Sequence, residues 1–403
     1  MQSTHARFRA VAMVAPQPQL AFSQPTAVSE KDPSLVVFSP PKLRLEEASA
    51  PVPAGWQHPQ ITRLGLYHPL EVGHASVARE ALPSVLARLR NVFRSLSLRT
   101  IYHDTPLAAS CQSLEQVELR VSLWESRTDP NQVVLEVQRR CGDSVAFGGY
   151  ARRILDSIGQ ESCQGVDRQV CLDSLWRAES CMRRIPVPPH VDPVQQALEV
   201  AHDLSIAERR DARQLGLESL CIMTDASKTG MPVAIPTAKC VLLGTSSDGN
   251  DQPMFRRVQE RVVYLACSPA APDAIGEDYM EEDEECFDRD DPEAYLALVA
   301  LANAVEVLAQ TESDATVFTG LLNETRRVAN CDLLDYLVDQ VHKAASCPHR
   351  AYFGTKALVG LCQKLPHARA NVPLDVVKEA QHVGQDCHAA LASEADRLYE
   401  MLS

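Results

Sequence analysis

The sequence predicts an α+β module followed by an all-α domain. Three observations carry this. Two segments alternate apolar and polar residues with period two, and helical spacing flanks them on both sides. From residue 192 onward the apolar spacing is helical almost throughout. Aromatics make up only 5% of the chain, which suits packed helices better than a β-sandwich.

Residues 1–72 hold many prolines, among them Pro40–Pro41 and Pro51 and Pro53, with no sustained periodicity. Proline removes backbone donors and disfavours helix in its predecessor. The segment is expected to be a mostly disordered tail. Its first 29 residues contain no acid and carry Arg7 and Arg9, a composition shared with transit peptides, but Pro16, Pro18 and Pro25 interrupt any amphipathic helix.

Order is expected from about residue 76 to 160. Leu82, Val85, Leu86, Leu89, Val92, Phe93 and Leu96 recur at helical spacing, with Pro83 in the first turn. Val117, Leu119, Val121 and Leu123 alternate with polar neighbours and predict a half-buried strand. Asp129-Pro130 marks a turn, and Val133, Leu135 and Val137 form the return strand. Leu98–Tyr102 and Leu107–Cys111 are weaker strand candidates. After Gly142-Asp143, Ser144 is the expected N-cap of a helix through Phe147, Tyr150, Ala151, Ile154, Leu155 and Ile158. The unit therefore reads helix, four strands, helix.

That order resembles the kinase-associated C-terminal fold. Its most specific part is the strand Val133–Arg139, then Arg140-Cys141-Gly142-Asp143, then the helix through Phe147 and Leu155. The resemblance implies a small adaptor module, and some members of that family bind acidic phospholipids. No kinase precedes it here: the sequence has no Gly-rich phosphate loop, no H-R-D and no D-F-G.

Residues 161–190 read as a linker with one short helix, Val170–Met182, closed by Pro186, Pro188 and Pro189. The helical domain then spans 192–403. Asp192-Pro193 and Asp291-Pro292 each place a cap before a proline at the first helical position. Apolar stripes follow at Val194–Leu204, at Ala212, Leu215, Leu220 and Met223, at Phe255–Val263 and at Tyr295–Leu308. Further helices are expected at Thr316–Val328, Cys331–Ala344, Arg350–Leu365 and Leu374–Met401.

Cys221 and Cys362 close similar segments 141 residues apart, and Cys267 lies 46 residues after Cys221. Those intervals fall near the ~40–47-residue period of armadillo and HEAT repeats. Residues 192–403 accordingly resemble armadillo-type repeats, best at Ala357-Leu358 and Leu361-Cys362. The resemblance implies an armadillo-like superhelix with a long groove for protein partners.

The net charge of −14 argues against a general nucleic-acid binder. Residues 76–158 carry a net +2, leaving −16 for the rest. An acidic insertion at 273–291 includes ten carboxylates from Glu277 to Asp291, read as a solvated loop. Arg139, Arg140, Arg152 and Arg153 are candidates for anionic lipid or phosphate, against the plainer reading of surface arginines paired with Asp143, Asp156 or Glu136. The 13 cysteines lack C-x-x-C spacing, and His342, Cys347 and His349 lack a fourth ligand, so no metal site is expected. Lys228-Thr229-Gly230 stands without the other β-lactamase motifs. No catalytic motif, cofactor fingerprint or run of ~20 apolar residues is seen. The sequence thus reads as an intracellular, cytoplasmic, non-catalytic adaptor, with a peripheral membrane regulator as the alternative.

Overall fold

The computed structural model describes residues 55–158, 193–245, 253–267, 291–312 and 315–403. An α+β module precedes an all-α domain, as the sequence predicts. The linker, its expected helix Val170–Met182, Asp192 and all of the acidic insertion but Asp291 lie outside the described residues.

The module runs β1 (Thr62–Arg63), β2 (His74–Ala78), α1 (Leu82–Ser95), β3 (Arg99–His103), β4 (Ala108–Gln112), β5 (Glu118–Glu125), β6 (Gln132–Cys141) and α2 (Ser144–Ile158). The sheet order is β2-β6-β5-β4-β3, antiparallel throughout, and β1 adds a short parallel pairing to the far end of β5. The four expected strands are present. β1 and β2 are additions, and residues 55–72, expected to belong to the tail, are part of the folded module. Trp56 donates its indole N–H to Ala108 O at 2.8 Å, and Leu64 is buried.

Register explains the core. Leu119, Val121 and Leu123 share a face with Leu135 and Val137 of β6: Val121 lies opposite Val137 and Leu123 opposite Leu135. Ala109 and Cys111 continue that face on β4. Val85, Leu89 and Phe93 of α1, with Ala151, Ile154, Leu155 and Ile158 of α2, close over it. Each large side chain buried this way contributes about 1.5–3 kcal/mol. The opposite face carries a buried carboxylate: Glu136 accepts from the Glu71 amide at 2.7 Å and sits 3.0 Å from His68 Nε2. Burial alone would raise its pKa, but the Glu71 amide and His68 outweigh that and hold it below the usual carboxylate range.

Gly142 has φ +90, and a Cβ there would lie 2.7 Å from Val117 Cα, so glycine is required. The N-cap of α2 is Asp143 rather than Ser144, because the carboxylate accepts from the amides of Val145 (3.0 Å) and Ala146 (2.7 Å). Ser144 is instead the first residue of the helix.

The all-α domain comprises α3 (Pro193–Ser205), α4 (Arg210–Thr224), α5 (Ala226–Thr229), α6 (Met231–Leu243), α7 (Pro253–Cys267), α8 (Pro292–Thr311), α9 (Thr316–Ala329), α10 (Leu333–His342), α11 (Pro348–Lys364), α12 (Leu374–Cys387) and α13 (Ala389–Leu402). The helix expected over Leu374–Met401 is two helices, broken at His388. No Gly or Pro marks that break: His388 leaves the helical conformation at φ −147 and ψ 90, and its Nδ1 accepts from the Leu391 amide at 3.1 Å as the cap of α13. Asp291 caps α8 through the Glu293 amide, as expected.

α8 is the hub, packed against α4, α6, α7 and α11. Among the described residues it is the one helix long and apolar enough to cross a membrane, with mean hydropathy 1.5, a length the sequence reading did not pick out. Within the fold 83% of that apolar stretch is buried, which makes it a core helix. Its first turn is clamped by Glu293, which meets Arg213 Nε of α4 at 2.8 Å and Arg261 Nη2 of α7 at 2.9 Å.

Candidate interaction surfaces

The four candidate arginines divide into two pairs with different surroundings. A β-bulge sets Arg139 opposite Leu119 and Cys141 opposite Glu118, so Arg140 is the extra residue of the bulge. Arg139 folds its guanidinium back to donate to Gly142 O at 2.7 Å. On α2, Arg152 lies 3.6 Å from Asp156, one of the partners expected for a plain surface arginine. Arg140 and Arg153 are exposed. No hydrogen bond or ion pair joins one pair to the other among the described residues. Glu136 and Asp143 are engaged elsewhere, by His68 and Glu71 and by the cap of α2.

Near β6 lies a feature that sequence spacing missed. The segment between β1 and β2 exposes Leu66, Tyr67, Leu70 and Val72, with Tyr67 92% and Val72 98% accessible. Its base is fixed by polar contacts: Arg127 donates to Gly65 O and to His68 O, and His68 and Glu71 hold Glu136. A run of apolar residues in a stretch without periodicity carries no signal for exposure.

The second surface is a groove between α3 and α4 of about 470 Å³, lined by Pro193, Ala197, Val200, Ser219, Ile222 and Met223. Val200 is 54% and Ile222 48% accessible. Leu215, placed by spacing in the buried stripe of α4, is 52% exposed on the same helix, because Leu217 and Leu220 take the inward positions. The two helices meet backbone to backbone at Gly216: a Cβ there would lie 2.5 Å from Ser205 N and 2.7 Å from Ala201 O.

A row of successive contacts links α3 to α4, α4 to α8, α8 to α11 and α11 to α13. Polar side chains tie the row together. Lys356 of α11 donates to Asn303 Oδ1 and meets Glu306 of α8, both at 2.8 Å, while Asn303 Nδ2 donates to Cys221 O of α4 at 3.4 Å. Cys221 donates its thiol to Leu296 O, and burial pushes that thiol up to about 12, which leaves it protonated and unreactive at neutral pH.

The module and the helical domain belong to one compact unit. Tyr295 of α8 donates to Leu114 O in the β4–β5 turn at 2.8 Å, and Arg94 at the end of α1 donates to Gln385 O at 2.8 Å. His349 Nε2 lies 3.0 Å from Ser97 O, and Ser97 Oγ accepts from the Ala390 amide at 2.9 Å. Thus His349, considered by residue type as a metal ligand, is instead a buried joint residue, and no cluster of three or more metal-ligating side chains occurs among the described residues. No protein-family model matches this chain, and no curated protein matches its sequence.

Proposed function

We propose that this protein is a non-catalytic adaptor that binds partner proteins along its helical domain, whose helices are armadillo-type repeats. The observation that carries the reading is the apolar groove between α3 and α4, which among the described residues lies open at the end of the row α3-α4-α8-α11-α13. A stacked helical array leaves its terminal apolar face uncovered unless a cap or partner closes it. The side chains of an amphipathic helix suit such a groove, read as anchors at helical spacing. The three cysteines that suggest the repeat fall on α4, α7 and α11. α8 departs from a strict nearest-neighbour stack by touching four helices. Val200→Glu with Ile222→Glu places two charges in the groove. Quantitative affinity capture with the full chain tests it: the reading requires partners retained by the wild type to fall away with this variant.

A second reading has its own observation. The segment leading into the strand beside β6 exposes Leu66, Tyr67, Leu70 and Val72 and is held at Gly65 and His68 by Arg127, and the exit of β6 carries Arg139 and Arg140. Membrane surfaces are bound by such combinations of apolar insertion and basic charge. In this reading the protein is a peripheral regulator on anionic lipid, and Arg139→Glu with Arg152→Glu abolishes binding to phosphatidylserine vesicles. Unchanged vesicle binding by that variant removes it.

A further inference from the structure

We propose that His349 and His388 form an acid-operated latch that holds the sheet module against the helical domain and releases it when either ring takes up a proton. The two imidazoles are buried at the joint, with ring centroids 5.2 Å apart and planes at 65°. His349 Nε2 is close to two groups, Ser97 O at 3.0 Å and Arg99 N at 3.3 Å. Nε2 thus faces a carbonyl acceptor and the Arg99 N–H donor at once, and the neutral ring satisfies only one of them in either tautomer. His349 Nδ1 is buried with no partner, whichever nitrogen carries the proton. On His388 the assignment is fixed by the cap. Nδ1 must keep its lone pair to accept from the Leu391 amide, so Nε2 carries the proton, and it too is buried with no partner.

Both rings are therefore built into the joint as neutral species. A proton on His388 Nδ1 destroys the cap of α13. A second proton on His349 makes a buried cation whose Nδ1–H has no acceptor and whose Nε2–H is set against the Arg99 N–H. The charged and titratable neighbours offer no relief. Arg99 on β3 and Arg94 at the end of α1 are cations; Tyr352 of α11 and Cys387 of α12 are neutral. The nearby carboxylates are committed elsewhere, Asp386 beside His382 and Glu394 to Arg397. Burial accordingly holds His349 at about 4, aided by the charge of Arg99, and His388 well below its ordinary value. This pairing rules out a shared metal ion as well, because a metal on His388 Nε2 would move the proton to Nδ1 and break the cap.

Opening the joint exposes the rings to water, where their pKa returns to 6.5. The opening constant then rises by about 30-fold for His349 between pH 7.5 and pH 5. The released surface includes Ser97, Leu114 and the first turns of α11 and α13.

The experiment is hydrogen exchange by mass spectrometry on the full chain at pH 7.5 and pH 5, corrected for intrinsic rates. The latch requires peptides spanning residues 96–100 and 388–392 to lose at least ten-fold in protection at pH 5 while α8 keeps its own. His349→Gln with His388→Asn keeps the donor to Ser97 and the cap acceptor but cannot titrate, so its joint stays equally protected at both pH values. Protection in the wild type that does not change with pH, or a double variant that loses it as the wild type does, overturns the latch. Should the double variant not fold, carbon-13 histidine resonances of the wild type decide: both rings stay neutral down to pH 5.5 while the joint is closed, and a ring titrating near its ordinary value in the closed state overturns the proposal.

Discussion

Ser97 and His349 lie 252 residues apart in sequence and meet carbonyl to imidazole at 3.0 Å. Ser97 does this in a left-handed conformation, φ 54, with its hydroxyl engaged at the same time by the Ala390 amide. One residue of the sheet module therefore holds two helices of the other domain. Ser97→Ala removes the acceptor for Ala390 and should lower stability by about 1–2 kcal/mol. Urea unfolding of the variant, with exchange at Ala390 as the local readout, checks this.

The clamp at the start of α8 is a sharper case. Glu293 is nearly buried between Arg213 and Arg261, so Glu293→Ala leaves two partly covered guanidiniums without their carboxylate, Arg213 keeping its bonds to Ala207 O and Glu208 O. A loss of about 2–4 kcal/mol is expected, less than for a fully buried triad because both arginines retain some solvent. Replacing all three by apolar residues should restore most of it. A triple variant as unstable as the single one would mean the arginines contribute nothing through Glu293.

Glu136 sets the acid limit of the sheet module. Its folded pKa lies below the ordinary 4.5, so the stability it adds is fully present above that value and is lost as pH falls through the folded pKa. His349 and His388 have folded values below 6.5, and their penalty begins earlier, as pH falls below 6.5. Two phases of acid weakening follow. Glu136→Ala should cost about 1–3 kcal/mol at pH 7 and shrink the lower phase, which Glu324 and Asp332 share, while leaving the upper phase in place. Chemical denaturation at intervals from pH 8 to pH 3 separates the two.

Asp143 tests the local reading of the sheet exit. Asp143→Ala should destabilise by about 1 kcal/mol through α2, and Asp143→Asn by less, since an amide oxygen still caps. Thermal unfolding followed by circular dichroism distinguishes them. Equal losses would show that charge, not the cap bond, matters.

Local pattern made much of this fold legible. Val117–Leu123 and Val133–Val137 alternate because one face meets α1 and α2, and that pattern is written in the residues themselves. β2 was not legible, since only Val77 of its five residues is buried. α6 was missed because it is apolar on nearly every side and contains Pro236, leaving no stripe to detect. The break at His388 depends on a histidine acting as a cap, a role no composition rule announces. The joint and the groove are long-range facts: Ser97, His349 and His388 come together only in three dimensions. Val200 and Ile222 look like any helical apolar residues until their exposure is known. Of the candidate arginines, the sequence placed all four on the module surface but could not show that Arg139 and Arg152 are already engaged.

In the adaptor reading a protein partner docks in the groove between α3 and α4. Its most direct test is hydrogen exchange on the full chain with and without a partner purified by affinity capture. New protection is expected in residues 193–205 and 210–224, lost together with binding in the Val200→Glu, Ile222→Glu variant. Protection confined to residues 64–73 and 139–153, with those two helices unchanged, would contradict it and move the recognition surface to the sheet module.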